Sequence, residues 1–337
     1  MGLESQQRPP GPWNLPEKEW DELRAFGEKL VFHIGYPRTG TTFLQRGIFP
    51  KYKDFANTEL DLTGFFVDDD QHKMGYGPLL SKMKSYFGHR GWSDRPTICS
   101  WENLSGDVLV DFYHVPGRIH EIFPDCKIAV CIRSQYTMIP SLYHIYIKSG
   151  GTMNYEGYLN TLIQNDKLNY HALIRKYWRL FGRDSVHVMF FEELKANRSR
   201  FLRDLLEFMG LPADNEPWKG VGGKNRRDSL FVTKAYRTLN RIMEKKGVQS
   251  VSRALLGECD ARARVAKSVR LLFFALNKLD QKLRLFASDS LEKDVNYRDE
   301  IRLRYGSSNR VLFEELGLTG NVFGYPLGSE MNEGDVH

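Results

Sequence analysis

Cysteine is scarce in this chain: four in 337 residues, at Cys99, Cys126, Cys131 and Cys259. They form no CxxC pair and share no zinc-like spacing with histidine, which excludes a disulfide framework and a structural zinc site. Buried thiols in a reducing compartment are the expectation. Long apolar runs are missing too, and none approaches the ~20 residues that a membrane-spanning helix needs. The first 25 residues are polar and proline-rich, without the apolar core of a signal peptide. They are expected to be a disordered lead to a soluble, cytoplasmic protein. Neither an internal repeat nor a low-complexity tract is present. At 41% hydrophobic and 27% charged residues, the rest is ordinary globular composition.

Charge is uneven. Lys219 to Arg284 holds 17 Lys and Arg against 5 Asp and Glu, a net of +12, which leaves −6 for the rest of a chain whose total is +6. Such a segment fits an acidic partner or surface, and equally a solvated helical face. Residues 265–286, VAKSVRLLFFALNKLDQKLRLF, read as a basic amphipathic helix. It could line an acceptor site, form a homodimer face, touch anionic lipid or pack on the core.

Leu30 to Gln45, LVFHIGYPRTGTTFLQ, is the most informative stretch. Leu30–Ile34 has the length and character of a buried strand. It breaks at Gly35-Tyr36-Pro37, turns through Arg38-Thr39-Gly40, and enters a helix at Thr41-Thr42 with Phe43 and Leu44 facing inward. Strand, glycine loop and helix start together make an anion site. Gly40 permits close approach, Thr41 and Thr42 add hydroxyls, and Arg38 adds a fixed charge. The ATPase and GTPase loop needs Lys and then Ser/Thr directly after its second glycine. Here Thr41-Thr42 follow Gly40 and the cation precedes it, so a phosphorylated group held without metal is expected.

Further along, Pro96–Ser100, Lys127–Ile132 and Val186–Phe191 read as strands. Helices are expected over Trp20–Glu28, Thr41–Phe49 (stopped by Pro50), Pro78–Phe87, Phe112–Ile122, Thr137–Lys148, Tyr155–Ile163, Tyr170–Phe181 and Ser199–Met209. Residues 51–93 otherwise read as irregular. This alternation predicts an α/β fold, a P-loop-like parallel sheet with helices on both faces. One domain over residues 26–337 is expected, with a basic helical insertion at about 230–290. Arg133 stands where the third strand ends and Ser141 follows eight residues later, a fork and a hydroxyl suited to a terminal phosphate.

YPRTGTTFLQ closely resembles the 5′-phosphosulfate loop of sulfotransferases that use 3′-phosphoadenosine 5′-phosphosulfate (PAPS) and release 3′-phosphoadenosine 5′-phosphate (PAP). The likeness covers roughly residues 30–215, and the segment 305–326 looks like the closing helix of bacterial carbohydrate sulfotransferases. It implies PAPS bound by Arg38, Thr39, Gly40, Thr41, Thr42 and Phe43, with Arg133 and Ser141 on the 3′-phosphate. Phe191 stands where the family has a tyrosine against adenine. Gly222–Leu230, GGKNRRDSL, falls at the family's basic loop over the 3′-phosphate, with Lys224, Asn225, Arg226 and Arg227 as candidates. Arg38 replaces the family's usual lysine, and arginine, a poor proton donor, argues for electrostatic help to the leaving group.

Glu102, in ICSWENLSG, is the candidate base, since bacterial members often show Ser-x-Glu-Asn-Leu here. A helix cap or ion-pair residue is its other reading. His72, His89, His114 and His144 have no comparable local pattern, and His33, inside the first strand, reads as structural. The resemblance implies an O-sulfotransferase acting on a glycan or glycolipid hydroxyl, with no metal and no nucleic-acid partner. A small alcohol or phenol as acceptor, a catalytically silent PAP-binding protein and a nucleoside phosphate kinase stay open beside it.

Overall fold

The computed structural model describes residues 17–52, 62–67, 76–87, 96–105, 114–213, 230–245, 295–320 and 323–328. It divides into two compact units, one of residues 1–132 and 172–221, the other of 133–171 and 222–337.

In chain order the elements are α1 (Glu17–Gly27), β1 (Leu30–His33), α2 (Thr41–Phe43), α3 (Thr63–Val67), α4 (Tyr76–Phe87), β2 (Thr97–Ser100), α5 (Val115–Ile122) and β3 (Lys127–Ile132). There follow α6 (Gln135–Lys148), α7 (Tyr155–Gln164), α8 (Tyr170–Phe181), β4 (Val186–Phe190), α9 (Phe191–Ala196), α10 (Arg198–Phe208), α11 (Leu230–Lys245) and α12 (Val295–Glu315).

The first unit is built on a four-stranded sheet in the order β2-β1-β3-β4, with every neighbouring pair parallel. The strands are mostly apolar rather than strictly alternating because both faces are covered by helices. One face carries Val31, Ile98, Ala129, Cys131 and Met189 into a core with Leu44, Ile48 and Phe49 and with Phe201, Leu202 and Leu205 of α10. On the other, Phe32 packs edge-on against Phe66 of α3, with ring centroids 5.5 Å apart, and lies 6.2 Å from Phe123 at the end of α5. Successive strand side chains point to opposite faces, so Val31 and Phe32 serve different layers. The sheet reverses its direction of growth at β1, with β2 on one side and β3 on the other. Open α/β sheets bind ligands at the carboxyl ends of the strands beside such a switch point.

In the second unit α6 packs against α7, α11 and α12. Asn240 of α11 donates to the carbonyls of Ile147 and Gly151, both at 2.8 Å, tying α11 to the end of α6.

Several boundaries differ from the sequence reading. Helix α1 begins at Glu17, inside the segment expected to be a disordered lead through residue 25 and three residues before the expected helix start at Trp20; Leu23 and Phe26, one turn apart, are fully buried. Pro50 does not stop the helix after Thr41. The run continues as a π turn over Leu44–Ile48 and a 3-10 turn over Phe49–Tyr52, where proline's missing N–H falls at the start of a new hydrogen-bonding pattern. Phe191 opens α9 rather than closing β4. Of the insertion expected at 230–290, α11 is described and the remainder lies outside the described residues.

Candidate active site

Past β1 the backbone still rides on β3: Ile34 N–H donates to Ala129 O at 3.0 Å and Tyr36 N–H to Cys131 O at 2.9 Å. Gly35, within this stretch, is left-handed (φ 90°), and the turn that leaves the sheet after Tyr36 has two more left-handed positions, Arg38 (φ 67°) and Gly40 (φ 93°). Arg38 takes this conformation without glycine's freedom, at a cost of about 1–2 kcal/mol. Thr39 is buried, and its hydroxyl donates to Tyr36 O, so that side chain braces the loop. The first amides to close the helix, Phe43 and Leu44, both bond to Gly40 O. The amides of Gly40, Thr41 and Thr42 lie ahead of that ladder, where a helix has donors without intrahelical acceptors. Thr42 is exposed, Arg38 half-buried and Thr41 buried.

The end of β2 is tied to this loop. Trp101 N–H donates to His33 O at 2.9 Å, and a 3-10 turn over Glu102–Ser105 follows. The Thr41 hydroxyl donates to Glu102 Oε2 at 2.6 Å. Gln45, one turn beyond Thr41, donates to Ser100 O at 2.8 Å and to Ser100 Oγ at 3.3 Å. His33 Nδ1 lies 2.7 Å from the same Oγ. A Cβ on Gly35 would sit 2.7 Å from Glu102 Cα, so glycine is what admits the Glu102 backbone. Sequence reading missed Gln45, Ser100 and the packing role of Gly35. The available signal was that Thr41 and Gln45 fall four apart, on one helical face.

α9 closes on the loop from another side. A Cβ on Gly40 would meet Leu194 Cδ2 at 2.6 Å and Phe191 Cε2 at 3.7 Å, so Phe191 neighbours the turn at Gly40. Two cations stack on aromatic rings here: Lys195 Nζ lies 4.5 Å from the Phe191 centroid and Arg198 Cζ 5.1 Å from that of Phe43. Asn197 fixes the start of α10 by accepting from Arg200 N–H at 3.1 Å, which places Arg198 in the first turn.

Arg133 and Ser141 belong to the second unit, and both are buried there, at 3% and 1% exposure. Arg133 Nε donates to Thr137 Oγ1 at 2.8 Å, and its carbonyl accepts from Tyr170 OH at 2.7 Å. Ser141 sits on α6, two turns after Arg133. Lys224, Asn225, Arg226 and Arg227 lie outside the described residues, as do His72 and His89. His144 bonds Thr233 of α11 at 3.0 Å. Among the described residues no three His, Cys, Asp or Glu side chains group as a metal centre requires, and no helix is long and apolar enough to cross a membrane.

The family model described as "Sulfotransferase domain" matches residues 28–223, which include the loop, Glu102, Arg133 and Phe191. The chain belongs to the sulfotransferase family, and its parallel sheet flanked by helices is that family's P-loop-like α/β fold. Among solved structures it is similar to a sulfotransferase from Alicyclobacillus acidocaldarius, with 17% identity over 65% of this chain and 94% of that one, at a TM-score of 0.44. A mouse sulfotransferase complexed with PAP matches at 16% identity over 61% of this chain and 68% of that one, at 0.41. The sulfotransferase domain from the curacin biosynthetic pathway matches at 16% identity over 58% and 78%, at 0.37. No curated protein matches the chain. The domain is one of sulfuryl transfer, and its family uses PAPS.

Proposed function

We propose that the protein is a PAPS-dependent O-sulfotransferase in which Glu102 is the base. The observation that carries this reading is the 2.6 Å hydrogen bond from Thr41 to Glu102, which puts a carboxylate directly beside the loop. The residues present fit a phosphorylated donor. Arg38, the Thr41 and Thr42 hydroxyls and the amides of Gly40, Thr41 and Thr42 are all donors. When bound, PAPS supplies a sulfuryl group on a phosphate leaving group.

Glu102 accepts the acceptor hydroxyl's proton as that oxygen attacks sulfur. Arg38 and the loop amides stabilise charge as it develops on the leaving phosphate. Arg133 and Ser141 hold the 3′-phosphate, and Thr137 orients the guanidinium for it. Phe191 lies against the adenine, Phe43 belongs to the cofactor-binding loop, and Lys224, Asn225 and Arg226 close over the 3′-phosphate. The acceptor is a saccharide or glycolipid, a choice supported by the net +12 of residues 219–284. The same segment supports peripheral contact with an anionic membrane, or a homodimer face. A cytoplasmic setting belongs to the same reading, and it is supported by the burial of Cys99, Cys126 and Cys131 in the core.

Calorimetric titration with PAP, with and without Mg²⁺, tests the reading. Binding should be independent of Mg²⁺ and weaken roughly tenfold or more in Arg133→Ala, as loss of a charged hydrogen bond implies. Arg133→Lys keeps the charge without the fork and should fall between. No PAP binding, or binding of ATP with a metal requirement instead, overturns it.

A further inference from the structure

We infer that Glu102 and the nucleotide 5′-phosphate compete for the single proton of the Thr41 hydroxyl, so that loading the nucleotide releases the base. This rests on the function proposed above and concerns the regulation of the same site.

A threonine hydroxyl donates one hydrogen bond only. In the structure that bond goes to Glu102 Oε2 at 2.6 Å, within the short range of charge-assisted O–H···O⁻ contacts. Thr41 is also the residue after Gly40, inside the donor set that fits a phosphate, and at 3% exposure it is held in place. Either acceptor can take the proton, and both cannot. With the nucleotide absent, Oε2 of the carboxylate is occupied by the hydroxyl. With a phosphate in the loop, Thr41 turns its hydroxyl to the phosphate, and Oε2 becomes available for an acceptor's proton. No covalent bond changes in this exchange; one hydrogen bond replaces another.

Such an exchange is useful only if Glu102 stays where it is when Thr41 lets go, and the backbone around it meets that condition. Ser100 is held by Gln45 at its carbonyl and hydroxyl and by His33 at its hydroxyl. Trp101 is held by its amide to His33 O. The Glu102 backbone lies against Gly35 with no room for even a methyl group between them. Ser105 Oγ donates to Glu102 O at 2.8 Å. None of these contacts involves Thr41. Loss of the Thr41 bond therefore frees the carboxylate while the turn that carries it remains fixed. The sequence of events follows: nucleotide first, base second, acceptor proton last.

The test is calorimetric and needs no acceptor. PAP and adenosine 3′-monophosphate, which lacks the 5′-phosphate, are titrated into wild type, Glu102→Ala, Glu102→Gln, Thr41→Val and the Glu102→Ala/Thr41→Val double variant. With Thr41 present, Glu102→Ala should tighten PAP by roughly three- to tenfold, the worth of one returned hydrogen bond. Glu102→Gln, which keeps a weaker neutral acceptor, should give a smaller gain. In the Thr41→Val background the gain should shrink clearly, and adenosine 3′-monophosphate should show none in any variant. Equal gains with and without the Thr41 hydroxyl would reduce the effect to charge repulsion and overturn the competition. Weaker PAP binding in Glu102→Ala would overturn it as well. Failure of every variant to bind PAP would instead overturn the function reading, and this one with it.

Discussion

His33 and Ser100 are register partners across β1 and β2, and the imidazole Nδ1 lies 2.7 Å from the serine hydroxyl on the face that Gln45 covers. The ring is fully buried and edge-on to Phe49, and its Nε2 has no hydrogen-bond partner among the described residues. Burial alone lowers its pKa from 6.5 to about 4. The unfolded chain therefore takes up this proton first as pH falls. His33 costs no stability above 6.5, and stability drains as pH drops from there toward 4, by roughly 3 kcal/mol at full extent. Burial lowers His187 as well, against the opposing charge of Asp204, and acts in the same direction. Urea unfolding across this window should show a clearly shallower pH slope for His33→Gln than for wild type. An unchanged slope would assign the effect elsewhere.

Gly35 and Gly40 both take left-handed φ, yet their substitutions should differ in severity. A methyl on Gly40 meets the end of the Leu194 side chain, which can swing aside. A methyl on Gly35 meets Glu102 Cα and O, backbone atoms that Gln45 and His33 hold through the neighbouring residues. Gly40→Ala should cost about 1–2 kcal/mol from its φ alone. Gly35→Ala should cost more than about 2 kcal/mol and displace the candidate base. Urea midpoints of the two variants test the ranking, and a larger loss in Gly40→Ala would show that Leu194 cannot move.

Much of this was legible in the sequence because it is local. β3 and α8 fall over the residues expected, since KIAVCI and the 3.6-residue apolar period of 170–181 are self-sufficient signals. The path from β1 through the turn to Thr41 was legible because an apolar run, two glycines and a helix start follow one another within a dozen residues. The Thr41–Glu102 bond was not, because it joins positions 61 apart, and Gln45 and Ser100 meet across 55. Only the parallel register of β1 on β2 brings those turns together, and a strand's pattern says which face is buried without saying which strand lies beside it. Pro50 misled for a related reason. The rule that proline ends a helix describes an α ladder, and the ladder here had already widened to a π turn.

Gln135 and Asn309 form a reciprocal amide pair at the buried heart of the second unit, each donating to the other at 3.0 Å. Gln135 also donates to Leu168 O at 3.1 Å and Asn309 to Pro326 O at 2.9 Å, so both NH₂ groups are satisfied. The pair thus joins α6, α12, the segment before α8 and the C-terminal stretch 323–328 through one fixed arrangement. Both side chains are fully buried, and removing either strands the other's polar atoms away from water. Asn309→Leu and Gln135→Leu should each cost about 2–4 kcal/mol. The double variant should cost clearly less than the sum, because no orphaned side-chain amide remains. Urea unfolding of the four proteins in the cycle measures the coupling. Strict additivity would mean that the two amides contribute independently, through their carbonyl partners rather than through each other.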